Sequence, residues 1–191
     1  MQRCSPKNGN AGFTMIEMLV VIAIAVILLA LGLPSLLNMI AGSRIDGATR
    51  QVMYEIRAVQ SLAVTRGGDF GFHWGGDPLV GLPLTQYRVE TDPSGACAAP
   101  PAGWPAAADT TATNPNVIRD WFDLSVEYPG VVIQSVEDAN TTVIGGVMFN
   151  SRGASVNTCV PVTFPLTITI ADTSGATRTI QVQRAGRVSI I

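Results

Sequence analysis

The 191-residue sequence predicts an α+β fold, with one long N-terminal helix packed on antiparallel β-sheets. Three observations predict it. A nearly unbroken apolar block fills residues 13–33. Apolar residues then recur at helical spacing through 44–66. Beyond Gly67 and Gly68 the chain breaks into short β-type runs separated by Gly and Pro.

Residues 1–12 are polar and contain Arg3 and Lys7 without an acid, which reads as a cleaved leader instead of a folded element. Cations ahead of an apolar block hold the N-terminus in the cytoplasm and send the rest across. The block at 13–33 is close to the ~20 residues that a bilayer requires, and is expected to be a transmembrane helix. One carboxylate, Glu17, lies near its start. A charge at such a depth costs about 2.5–3.5 kcal/mol on insertion scales, so Glu17 needs a partner. Pro34 follows; it removes one helical hydrogen bond and crowds the preceding turn, which predicts a kink there.

The helix is expected to resume as an amphipathic continuation over 34–66. Ile45, Ala48, Val52, Ile56, Val59, Leu62 and Ala63 form one stripe, with Arg50, Glu55, Arg57 and Gln60 around it. Gly67 and Gly68 stop it. The partner for that stripe is a β-rich portion over 67–191. Its strands are expected at 70–74, 85–90, 117–124, 131–136, 143–149, 166–171, 177–183 and 187–191, in two small antiparallel sheets. Alternation is plainest in Leu166-Thr167-Ile168-Thr169-Ile170, and Asp172-Thr173-Ser174-Gly175 reads as the turn of a hairpin. Residues 93–115 lack any such pattern and are expected to form a long surface loop.

Composition narrows the function. Only 14% of residues are charged and the formal net charge is −2, which argues against bulk nucleic-acid binding. The arginines from residue 150 onward, at 152, 178, 184 and 187, face Asp172 alone and keep a local anionic contact open. His73 is the one histidine, and a structural role is expected for it. No cysteine pair at metal spacing supports a zinc site. No phosphate loop and no Ser/His/Asp or Cys/His set appears. The sequence therefore points to no catalytic residue, no metal and no cofactor; the chain is not read as an enzyme. Cys97 and Cys159 would lie outside the membrane. In an oxidising compartment they are candidates for a disulfide that would pin the 93–115 loop to the sheet, worth roughly 4 kcal/mol on a chain-entropy argument. Two unpaired buried thiols are the alternative.

Gly12, then Phe13-Thr14-Met15-Ile16-Glu17, then an apolar helix with Pro34, resembles the N-terminus of type IV pilins and of the pseudopilins of type II secretion. Phe149-Asn150-Ser151-Arg152-Gly153 and the closing Ala185-Gly186-Arg187-Val188 resemble the minor pseudopilin family of the GspH/FimT type. The resemblance implies a pilin-like fold and a structural subunit of the type II secretion pseudopilus, in its tip or initiation complex. It implies cleavage by a prepilin peptidase between Gly12 and Phe13, N-methylation of Phe13, and pairing of Glu17 with the terminal amine of an adjacent subunit. Pro34 matches the family's helix-bending proline. The implied partners are other minor and major pseudopilins or pilins, the peptidase and the bacterial inner membrane, crossed once with the β-rich head in the periplasm. The alternative is a FimT-type minor pilin of type IV pili that contacts DNA during transformation, with Arg178, Arg184 and Arg187 as the candidate contacts. DNA-binding members carry Gly-Arg-x-Arg near the C-terminus, whereas this chain has Gly186-Arg187-Val188-Ser189. An uncleaved signal anchor, or a secretory signal cut near Ala41-Gly42-Ser43, would also account for the apolar block, but neither requires Gly12-Phe13 or an acid at the start of the block.

Overall fold

A computed structural model describes residues 13–76, 81–92, 105–156 and 162–191, the side chains of 32, 34–38 and 92 excepted. Helix α1 spans Met15–Arg66, the single long helix that the sequence predicts, and its backbone is helical through Pro34. The chain divides into two units, Met1–Ile40 and Ala41–Ile191. In the first unit the apolar side chains from Met15 to Leu31 are uncovered, Met15 at 90% and Leu31 at 74% exposure. Among the described residues no helix is both long and apolar enough to cross a membrane. The span expected at 13–33 includes one position, 32, that lies outside the side-chain description.

The second unit contains residues 41–66 of α1 and all of the strands. Its helical segment buries Ile45, Ala48, Val52, Ile56, Val59 and Ala63, the stripe read from the spacing except for Leu62, which is half-buried against the same core. Each of the buried Ile and Val side chains contributes roughly 1.5–3 kcal/mol relative to exposure, so the stripe holds the helix to the sheets far more strongly than helix propensity does. The helix ends where Gly67, at φ 71°, donates its N–H to the Ala63 carbonyl. That left-handed residue closes the last turn, and a side chain there would be strained.

The strands are β1 (Asp69–Trp74), β2 (Gln86–Asp92), β3 (Val117–Asp123), β4 (Val131–Glu137), β5 (Gly146–Phe149), β6 (Ser155–Val156), β7 (Leu166–Asp172), β8 (Thr177–Val182) and β9 (Val188–Ile190). They form two antiparallel sheets, ordered β3-β2-β1-β5-β6 and β4-β7-β8-β9. Phe70, Phe72 and Trp74 of β1, Tyr87 and Val89 of β2, and Ile168, Ile170, Ile180 and Val182 of β7 and β8 join the helical stripe in one core. Phe72 stacks on Tyr87 with ring centroids 4.9 Å apart. In β4 both Ile133 and Val136 are buried although they are three residues apart. The β4–β7 register slips between Ile133 and Ser135, and this bulge restores the inward face.

Two local expectations need correction, and one strand was not expected. The run expected at 117–124 stops at Asp123, whose carboxylate accepts from the Ser125 N–H and starts a four-residue helix, α2 (Leu124–Glu127). The run expected at 143–149 pairs as a strand only from Gly146, with Val143 making one isolated bridge to Glu137. The two-residue strand β6 is too short to carry a pattern. The β7–β8 hairpin is as expected. Asp172 Oδ1 accepts from the N–H of Ser174 at 2.8 Å and of Ala176 at 3.0 Å, and Gly175 takes φ 85°.

Candidate functional site

The N-terminal site begins with a helix cap. Thr14 Oγ1 accepts the N–H of Glu17 at 3.3 Å, and the Thr14 carbonyl accepts from Met18 at 3.2 Å. Thr14-Met15-Ile16-Glu17 therefore has the spacing of a capping box, with Glu17 in the third helical position. The sequence carries that signal too, beside the lone carboxylate that makes Glu17 conspicuous. Glu17 is exposed, as are Phe13, at 77%, and every described apolar residue around it. This arrangement presents one anion on a wall of uncovered hydrocarbon, close to the positive end of a helix dipole. It suits docking against apolar matter that brings a cation to that point. Gly12 lies outside the described residues, as do Cys97, Cys159 and Trp104, so the cleavage position and the candidate disulfide are not described.

A second constellation joins the helix to two Gly-containing turns, which lie in the segments 149–153 and 185–188 quoted above for their resemblance. Gln60 Nε2 donates to the Gly153 carbonyl at 2.6 Å and to the Gly186 carbonyl at 3.0 Å. Arg57 Nη2 donates to the Val188 carbonyl at 3.0 Å. The two turns are 33 residues apart in sequence but meet at one amide nitrogen. Gly186 has φ 85°, and a Cβ there would lie 2.0 Å from the Gly153 carbonyl oxygen. Sequence reasoning singles out both segments for their resemblance, without reading them as turns, and places Gln60 only among the polar residues beside the stripe. An amide on a helix flank gives no pattern in one dimension.

The structure does not gather the three candidate DNA-contact arginines. Arg178 on β8 donates from Nε to Asp46 Oδ1 at 2.8 Å and from Nη1 to its neighbour's carbonyl. Arg184 and Arg187 lie exposed in the turn after β8, with Arg184 5.9 Å over the Phe164 ring. Four strand residues, roughly 13 Å, separate Arg178 from that turn.

A third cluster is buried on the outer face of the five-stranded sheet. Arg88 Nε donates to Glu90 Oε2 at 2.6 Å, and His73 Nδ1 lies 2.6 Å from Glu90 Oε1. Arg88 and Glu90 have fully buried side chains. The Arg88 guanidinium lies 4.6 Å over the Trp121 ring and donates to the carbonyls of Pro105 and Ala106. Trp121 Nε1 adds a bond to the Ala107 carbonyl at 3.0 Å. His73 thus has the structural role expected of it, and the described end of the 93–115 loop is held by this cluster. Among the described residues no group of three His, Cys, Asp or Glu side chains could hold a metal ion.

Elsewhere, Asp138 organises the connection after β4. Its carboxylate accepts from the Thr163 hydroxyl at 2.7 Å and from the N–H groups of Asn140, Thr142 and Thr163. The Thr163 hydroxyl first, and then these amides, hold its carboxyl far below the ordinary range. This is turn chemistry within one chain.

Residues 7–33 match the family model for the prokaryotic N-terminal methylation motif, which bears out the N-terminal resemblance. No curated protein matches the chain. The minor pseudopilin EpsH from the type 2 secretion system of Vibrio cholerae is similar in structure, with a TM-score of 0.48 and 12% identity over 78% of this chain and 96% of that one. The type IV minor pilin FimU of Pseudomonas aeruginosa is similar with a TM-score of 0.47 and 14% identity, over 78% of this chain and 89% of that one.

Proposed function

We propose that this chain is a minor pseudopilin, a structural subunit of the type II secretion pseudopilus without turnover of its own. It is made in the bacterial inner membrane with residues 1–12 as leader and 13–33 in the bilayer, N-terminus in the cytoplasm and head in the periplasm. A prepilin peptidase cuts between Gly12 and Phe13, Phe13 is N-methylated, and the subunit joins other pseudopilins through its apolar helix.

The observation that carries this reading is the coincidence of the methylation motif at 7–33 with an uncovered apolar helix wall bearing Glu17 in its first turn. A carboxylate in hydrocarbon is stable only when paired. A terminal ammonium on a neighbouring subunit supplies that pairing at one axial register only, so Glu17 acts as a device for register. Mass spectrometry of the chain purified from membranes tests the reading. The expected N-terminus is methylated Phe13; a chain retaining residues 1–12 with an unmodified Phe13 overturns it.

A second reading, a minor pilin of type IV pili that contacts DNA, draws support from exposed Arg184 and Arg187. The pairing of Arg178 with Asp46 and the serine at position 189 weigh against it. A gel shift at low salt separates the two.

A further inference from the structure

The turn after β4 carries residue types that its own hydrogen bonding does not explain. Every backbone N–H from Asp138 to Thr142 is satisfied within the fold. Asp138 donates to the Thr142 carbonyl at 3.0 Å, Thr141 to the Asp138 carbonyl at 3.0 Å, and Ala139 to the Thr163 carbonyl at 2.9 Å. The N–H groups of Asn140 and Thr142 both donate to Asp138 Oδ1 at 2.9 Å. The Asp138 side chain thus supplies all of the Asx-type bonding in this turn. The carboxamide of Asn140 and the hydroxyl of Thr142 take no part in it. Both residues are exposed, and among the described residues neither group has a hydrogen-bond partner.

The backbone sharpens the point. Among the described residues Thr141 is the one non-glycine with positive φ, at 61°. That left-handed conformation suits Gly or Asn and penalises a β-branched side chain. Asn therefore stands beside the position that would favour it, and Thr occupies the position that disfavours it. Their order serves something other than the turn, since a strained dihedral is retained where local stability does not ask for it. Asn140-Thr141-Thr142 has the order Asn-x-Thr, the acceptor pattern for N-linked glycosylation. Of the asparagines in the chain, Asn140 alone is followed two residues on by Ser or Thr.

We propose that Asn140 is a glycosylation site carrying an N-linked oligosaccharide, an inference that rests on the reading above that puts the head in the periplasm. The donor is an oligosaccharide held on a polyprenyl diphosphate. The Asn140 carboxamide nitrogen attacks C1 of the first sugar. The N–C1 bond forms, the bond from C1 to the diphosphate oxygen breaks, the lipid diphosphate leaves, and the amide proton passes to a base of the transferase. The transferase recognises the acceptor through the hydroxyl two residues on, here that of Thr142. Both groups that the step uses face solvent and are free of the fold. Beneath them Asp138, 5% exposed, ties the turn to Thr163 ahead of β7. A hydrated sugar chain leaves from Asn140 without displacing any contact of the core.

The sequence makes the test specific. Arg119 and Arg152 flank the site with no lysine or arginine between them, so trypsin releases it in the single peptide 120–152. In the full-length chain purified from the membranes of its own host, that peptide should be heavier by whole sugar residues, with fragmentation placing the added mass on Asn140. Asn140→Gln and Thr142→Ala should each return it to the bare mass. Neither side chain bonds the fold, so both variants should accumulate as folded protein. Thr141→Gly keeps the Asn-x-Thr order and relieves the dihedral, and should keep the sugar. A bare peptide from the parent chain, sugar on Ser or Thr instead of Asn140, or sugar that persists in Thr142→Ala overturns the proposal. The N-terminal peptide of the same digest keeps the two readings apart. Methylated Phe13 beside a bare Asn140 sinks the glycosylation alone, while an uncut leader sinks the subunit reading itself.

Discussion

Gln60 Nε2 lies 2.6 Å from the carbonyl oxygen of Gly153, and the same nitrogen holds Gly186 at 3.0 Å. One helix amide thereby fixes two turns from different sheets. Replacing Gln60 by Ala leaves two partly buried carbonyls without that donor and should destabilise the chain by about 1–3 kcal/mol. Gln60→Glu should be worse, since a carboxylate would face two carbonyl oxygens. Urea unfolding of the detergent-solubilised chain ranks the two variants, and equal midpoints for the Gln60→Glu variant and the parent would contradict the contact.

Gly186→Ala tests the same joint from the other side. The added methyl would meet the Gly153 oxygen at 2.0 Å on a residue at φ 85°. Destabilisation beyond about 1 kcal/mol is expected, from both the clash and the disfavoured dihedral. Gly175→Ala shares the dihedral but has open space around the new Cβ, so it isolates the conformational part.

Arg88→Met leaves Glu90 buried without its closest cation. Breaking a buried pair from one side costs about 3–5 kcal/mol. The variant also releases the carbonyls of Pro105 and Ala106. Faster proteolysis near residue 105, together with a lowered melting temperature, is the expected signature. The double variant Arg88→Met/Glu90→Leu should recover much of the loss.

Asp138 predicts a pH effect of definite sign. Its folded carboxyl is held far below the ordinary value near 3.9, so the unfolded chain binds the proton more readily. The stabilisation is fully present above that ordinary value and is lost as pH falls from there toward the folded value. Acid titration of thermal stability should therefore show a steeper decline below about pH 4 in the parent chain than in Asp138→Asn. Parallel curves would refute it.

Glu17→Ala should insert normally but assemble slowly or not at all. Membrane fractionation and co-purification with other filament subunits measure the two steps separately. Normal incorporation of this variant would rule out the register role.

Much of the fold is legible in the sequence because burial imposes periodicity. The stripe from Ile45 to Ala63 and the alternation in β7 and β8 are one-dimensional imprints of a two-sided environment. The α2 turn, β6 and the bulge in β4 are not legible, being too short to repeat any period. The candidate sites divide in the same way. Glu17 stands out because a charge in an apolar run is conspicuous. Gln60, Arg88 and Glu90 do not: Gln60 and Arg88 bond backbone carbonyls distant in sequence, and Arg88 and Glu90, two residues apart, read as ordinary strand charges until their face is known to be buried. His73 is structural, as its isolation in the sequence predicts, but its carboxylate partner is identified only once β1 and β2 are paired.

Arg88 and Trp121 tie residues 105–107 to the same sheet whose strand β2 ends at Asp92. Both ends of the intervening stretch are therefore moored independently of its own composition. The free energy of closing a chain between two fixed points changes only slowly with the length between them, about 0.6 kcal/mol for each doubling, so the mooring at Arg88 and Trp121 sets where the chain re-enters the sheet whatever its length upstream.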